Sequence, residues 1–248
     1  MSDFVYYSGI PSFVVMLGIA MVAIVIFLLG MYINMKKWGN GSASHFLSVF
    51  LKKINHEKYG HHPRQSLLST IFLDILLQRR ILRRSPFRWV MHMLIFIGWI
   101  GMFVLSMIFA MFEMLHLVGI GDLDLNVIRD SLDFANEILG YMLLIGLIIA
   151  IVRRLAISDV SKRTQMFDWV LVLGTLVITI TGFMAEGFRP DAITGAWTFL
   201  GANIELAQTF ALFHVTISLL FCIAYIPYSK YMHMLAAPMV ILVNGGGE

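Results

Sequence analysis

The chain has 248 residues, 59% of them hydrophobic and only 13% charged, with a mean hydropathy of +0.82. These values exclude a soluble single-core protein, because a 28.1 kDa globule has too little interior to hide that much apolar surface. Lipid must solvate it. A single cysteine, Cys222, excludes an internal disulfide, a cysteine-ligated iron–sulfur cluster and covalent haem attachment through C-x-x-C-H. Any redox centre held by this chain uses other ligands. Met1-Ser2-Asp3 supplies no basic stretch ahead of the first apolar run, so a cleaved signal peptide is not expected. No nucleic-acid partner is expected either.

In chain order, apolar runs with at most one charge predict five membrane helices at about Pro11–Asn34, Trp89–Phe112, Phe134–Val152, Asp168–Met184 and Leu206–Tyr228. No ten-residue stretch alternates as a barrel strand does, so the predicted class is an all-α integral membrane bundle. Residues 36–88 carry eleven Lys and Arg, the loop Arg153–Arg163 four and the tail Lys230, whereas the other side has only Arg129 and Arg189. Sixteen against two predicts an outside N-terminus, a cytoplasmic C-terminus and a multi-pass protein of the cell membrane. The outer loops are acidic.

Between the first two spans lies the one sizeable extramembrane segment, residues 35–88. Its second half, Ser66–Arg84, has apolar residues at helical spacing and ends in Arg79-Arg80 and Arg83-Arg84, with Pro86 as the break before the second span. An amphipathic helix is expected, burying its face on lipid or protein, with docking of a soluble electron acceptor as one use. The third span reads as short: fifteen residues separate Glu137 from Arg153, about 22 Å against a core of about 30 Å. That places Glu137 at or just within the outer interface. Glu137, with Glu186 second, is the candidate acid for accepting a proton there.

Three of the eight histidines, His92, His214 and His233, fall on membrane segments or their ends. Ionisable residues are costly in hydrocarbon and usually functional, and neutral imidazole is an axial ligand for haem iron in helical bundles. A lone span histidine can equally hydrogen-bond a neighbouring helix. His214 and His233 are nineteen residues apart, about 28 Å if the helix is continuous. They therefore mark two sites, with Pro227 expected to kink the helix between them. Gly98 and Gly101 follow His92 and suit either a flat macrocycle or plain helix packing. Arg88, in the cluster Arg79–Arg88, and Lys230 are candidates for binding cofactor propionates; lipid headgroups or an acidic partner are the alternatives for the cluster. The loop histidines His45, His56, His61 and His62 match no metal-ligand spacing.

The run FHVTISLLFCIAYIPYSKYMHMLAAP (Phe213–Pro238) resembles the last helix of the five-span dihaem cytochromes b of the respiratory nitrate reductase gamma-subunit type. QRRILRRSPFRWVMHM (Gln78–Met93), GMYINMKKWG (Gly30–Gly39) and the tail NGGGE look closer still to the membrane cytochrome b subunits of methanogen heterodisulfide reductases. The likeness covers nearly the whole chain as one dihaem domain, 1–248. It implies two b haems, with His92 and His233 as one axial pair and His214 as a ligand of the other. Where the nitrate reductase pattern has a second histidine on helix two, this chain has Met102; Met102, an unidentified residue or an open position completes that haem. The resemblance further implies that electrons pass from dihydromethanophenazine to a cytoplasmic iron–sulfur heterodisulfide reductase subunit. A related cytochrome b serving menaquinol or sulfite reduction is the nearest alternative. A haem-free transporter is a weaker one, since no inverted repeat is visible.

Overall fold

In hydrocarbon every backbone N–H and C=O must be satisfied within the protein, and long apolar runs do this as helices. The structure, a computed structural model, describes residues 10–55, 66–119, 125–189 and 198–244, and no strand occurs among them. Ten helices are named here in chain order: α1 (Ile10–Trp38), α2 (Ala43–Asn55), α3 (Leu67–Leu76), α4 (Arg79–Arg84), α5 (Pro86–Leu117), α6 (Leu125–Ala156), α7 (Ser158–Arg163), α8 (Met166–Gly187), α9 (Ile204–Ala224) and α10 (His233–Asn244). Among the described residues five of them, α1, α5, α6, α8 and α9, are long and apolar enough to cross a membrane.

The chain divides into two compact units, one built on Val90–Val215 with the start of α1 as far as Met16, the other on Leu17–Trp89 and the residues from Thr216 onward. In the first unit, Leu143, Leu147 and Val172 form a buried core against Ile95, Trp99, Ile151 and Leu176, so α5, α6 and α8 pack together. Apolar burial gives no net drive between helices already in lipid, and close approach through small residues replaces it. A methyl group on Gly98 would stand 2.7 Å from the Leu143 nitrogen, and one on Gly101 would stand 2.5 Å from Leu139 Cδ2. Both glycines are spent on packing α5 against α6. The macrocycle reading of this pair is set aside.

Local chemistry explains the helix ends. Ser85 Oγ accepts from the Arg88 backbone N–H at 3.4 Å and Pro86 occupies the first helical position, so Pro86 opens α5. The fourth span begins at Met166, before Asp168, because the Asp168 carboxylate accepts from the Gln165 N–H at 2.9 Å within a reciprocal capping box. The third span is not short. α6 runs for 32 residues and its apolar span Ser131–Ala156 for 26, so Glu137 lies just inside the start of that span.

Two further expectations are corrected. The fifth helix does not continue through Pro227: a wider π turn covers Leu220–Ala224, tight turns follow over Ile226–Tyr228 and Lys230–Met232, and α10 begins afresh at His233. Proline lacks the N–H needed to propagate a helix, and the Pro227 carbonyl left exposed by the turn accepts from Asn34 Nδ2 of α1 at 2.8 Å. The straight-helix distance between His214 and His233 therefore does not apply. Ser66–Arg84 is likewise not one helix. α3, in π form from Thr70, stops at Gln78, whose φ of +50° is left-handed, and α4 restarts at Arg79.

Candidate electron- and proton-handling site

The polar residues of α8 fit into an apolar helix by bonding their own backbone. Thr175 Oγ1 donates to the Leu171 carbonyl at 2.7 Å, and Thr179 Oγ1 to that of Thr175 at 2.9 Å. Thr181 Oγ1 donates to the Ile178 carbonyl at 2.9 Å. That same carbonyl also lies 2.9 Å from Nδ1 of His214 on α9, with Thr181 Oγ1 3.3 Å from the nitrogen. A carbonyl only accepts, so Nδ1 carries the hydrogen and Nε2 keeps its lone pair. Gly182 makes room for the ring, since a methyl group there would stand 3.0 Å from His214 Cε1. Thr181, Gly182 and the Ile178 carbonyl were not anticipated as parts of the site. The run Thr179-Ile180-Thr181-Gly182 inside an apolar span was the available signal.

His233, in the second unit, repeats the same device locally: its Nδ1 donates to the Lys230 carbonyl, which again leaves Nε2 for a ligand, and its ring is exposed. His92 lies in the second turn of α5, half-buried and stacked on Phe96 with ring centroids 6.5 Å apart. Met102 is half-buried on the same helix, and its carbonyl accepts from Ser106 Oγ at 2.8 Å. Arg88 and Lys230 are exposed. His45 is exposed on α2, while His56, His61 and His62 lie outside the described residues. Among the described residues no three His, Cys, Asp or Glu side chains gather to hold a bare metal ion. Single imidazoles with a hydrogen-bonded Nδ1 and a bare Nε2 do suit a macrocyclic iron, which asks the protein only for axial ligands.

The two candidate acids come together between α6 and α8. Glu186 is 7% exposed and a side-chain hydrogen bond joins it to Glu137, whose Oε1 is buried with no hydrogen-bond partner. Helical spacing builds the seam: Tyr141, one turn beyond Glu137, stacks on Phe183 with centroids 5.0 Å apart, and Gly140 lets Phe183 close in. Glu137 is thus no solvated loop acid.

A protein-family model described as the HdrE subunit of dihydromethanophenazine:CoB--CoM heterodisulfide reductase matches residues 68–241. The chain is 45% identical to the corresponding reductase subunit from Methanosarcina thermophila and 44% identical to the one from Methanosarcina barkeri, each over 99% of both chains. It is 44% identical to the one from Methanosarcina mazei over 98% of this chain and 99% of that relative. No solved structure matches. The agreement in length and sequence over the whole chain means that it belongs to the HdrE family of heterodisulfide reductase subunits.

Proposed function

We propose that this chain is the membrane electron-transfer subunit of a heterodisulfide reductase complex, taking electrons from dihydromethanophenazine and passing them to a cytoplasmic iron–sulfur subunit. Two b-type haems, one on His214 and one on His92 with His233, would supply the one-electron chemistry. The observation that carries this reading is the seat of His214, whose Nδ1 is anchored to the Ile178 carbonyl so that Nε2 is presented as a base in a fixed orientation.

The chain's own residues hold and orient ligands and manage protons. Oxidation of a dihydro carrier releases two electrons and two protons. The adjacent carboxyls of Glu137 and Glu186 would accept one of these protons and pass it on, while the other leaves directly to solvent. With the orientation expected from the Lys and Arg distribution, this would take place toward the outer face while electrons travel inward. Arg88 and Lys230 would bind propionates or headgroups on the cytoplasmic side.

The test is a pyridine haemochrome assay on the purified chain beside His214→Ala. The reading expects two haems per chain, one of them lost in the variant with the fold intact by circular dichroism. Absence of haem from the parent, or an unchanged content in a folded variant, overturns it.

A further inference from the structure

The second unit contains a helix with its polarity inverted. Along α3 and the residue pair after it, Thr70 and Asp74 are each only 2% exposed and Gln78 Oε1 is buried, whereas Leu68 is 80%, Phe72 61% and Leu76 44% exposed. Both sets repeat every fourth residue, so each forms one stripe along the helix. α10 packs against this run. The polar stripe is the side turned into the protein, and its charge is neutralised there: Arg79 Nε meets Asp74 Oδ1 at 2.6 Å and Nη2 meets Oδ2 at 3.3 Å. In water a helix of this length buries its apolar stripe and exposes its polar one. The reverse arrangement is favourable where the surroundings are apolar.

Arg79 faces inward, but Arg83, Arg84 and Arg88 are exposed, as are the apolar Leu82 and Phe87 between them. The span helix α5 opens at Pro86, ten positions after Leu76. With six of those positions wound in α4, the stripe is tethered within about 25 Å of the span along the chain. Exposed arginines beside exposed leucine and phenylalanine, next to a transmembrane helix, match the chemistry of an anionic lipid leaflet.

We propose that α3 lies in the membrane interface, with Leu68, Phe72 and Leu76 among the acyl chains of anionic lipids and Arg83, Arg84 and Arg88 on their headgroups. The docking surface expected for Ser66–Arg84 is thereby reassigned from a soluble subunit to lipid, and Arg79 from docking to an internal ion pair.

The experiment places a nitroxide on the full chain, with Cys222→Ser, at Leu68→Cys, Phe72→Cys or Leu76→Cys, and reconstitutes it without other subunits in phosphatidylglycerol vesicles. Leu28→Cys on α1, 58% exposed within a span, is the lipid reference. The expected result is broadening by molecular oxygen and loss of broadening by a water-soluble nickel chelate at all three positions, as at the reference. Chelate broadening at these positions overturns the proposal. If it then disappears only when the partner subunits are added, the face belongs to a protein contact instead. Substitution at three exposed positions keeps the result independent of the folding of any one variant.

Discussion

Gly182→Ala tests the His214 seat with a single methyl group. Its carbon would stand 3.0 Å from Cε1, 3.3 Å from Nδ1 and 3.6 Å from Nε2 of the imidazole, whereas carbon contacts settle at about 3.5–4.0 Å. The ring must retreat by about 0.5 Å, which stretches the 2.9 Å bond from Nδ1 to the Ile178 carbonyl towards the limit of a hydrogen bond. Overpacking costs about 1–3 kcal/mol and the weakened bond about 1 kcal/mol more. The better helix propensity of alanine returns about 1 kcal/mol. The net expectation is a loss of about 1–3 kcal/mol in thermal or denaturant stability. On the proposal that His214 holds a haem, disturbing the partner that orients its imidazole should also weaken haem binding by about 10- to 100-fold. Gly18→Ala is the control: nothing lies within 4 Å of its added methyl, so the propensity gain alone should appear. Haemochrome content and unfolding midpoint are measured on both variants. A Gly182→Ala protein as stable as Gly18→Ala, with the parent's haem content, would refute the packing of His214 on α8.

Three other perturbations follow from the same geometry. Glu137→Gln keeps the volume but removes one of the two adjacent carboxyls, and it should slow reduction of the protein by a hydroquinone-like donor while leaving reduction by dithionite unchanged; equal rates with both donors remove Glu137 from proton handling. Asp74→Asn removes the carboxylate charge that Arg79 meets, where the Arg79 side chain is 18% exposed and that of Asp74 fully buried, and should cost about 1–3 kcal/mol, less than for a wholly buried pair because water reaches the arginine. Limited proteolysis within residues 66–85, faster in the variant than in the parent, is its local readout. Gln78→Gly relieves a left-handed backbone and deletes a buried oxygen without a partner, and should raise stability by about 1 kcal/mol; a lower midpoint would mean that the Gln78 side chain contributes more than its backbone costs.

Much of the architecture was already determined by composition and pattern, because hydrocarbon leaves an apolar chain few options. Five apolar runs became five helices long enough to cross a membrane, and the three histidines were singled out because an ionisable group there needs a reason. The family was equally legible in continuous motifs such as Gln78–Met93. The sequence also pointed to Glu137 and Glu186, but it did not show that they face each other.

Their pairing required the contact between α6 and α8, forty-nine positions apart in sequence, which removes the isolated charge that the one-dimensional reading assumed. The same holds for His214. Its position was visible, but the tautomer depends on the Ile178 carbonyl, thirty-six residues away, and on a glycine whose value lies in what it leaves empty. Helical periodicity located two faces on Ser66–Arg84 without saying which turned inward. That was decided by α10 packing against α3 and by Asp74 finding Arg79 across the left-handed turn at Gln78, because a buried carboxylate is tolerated only where a partner is held in place.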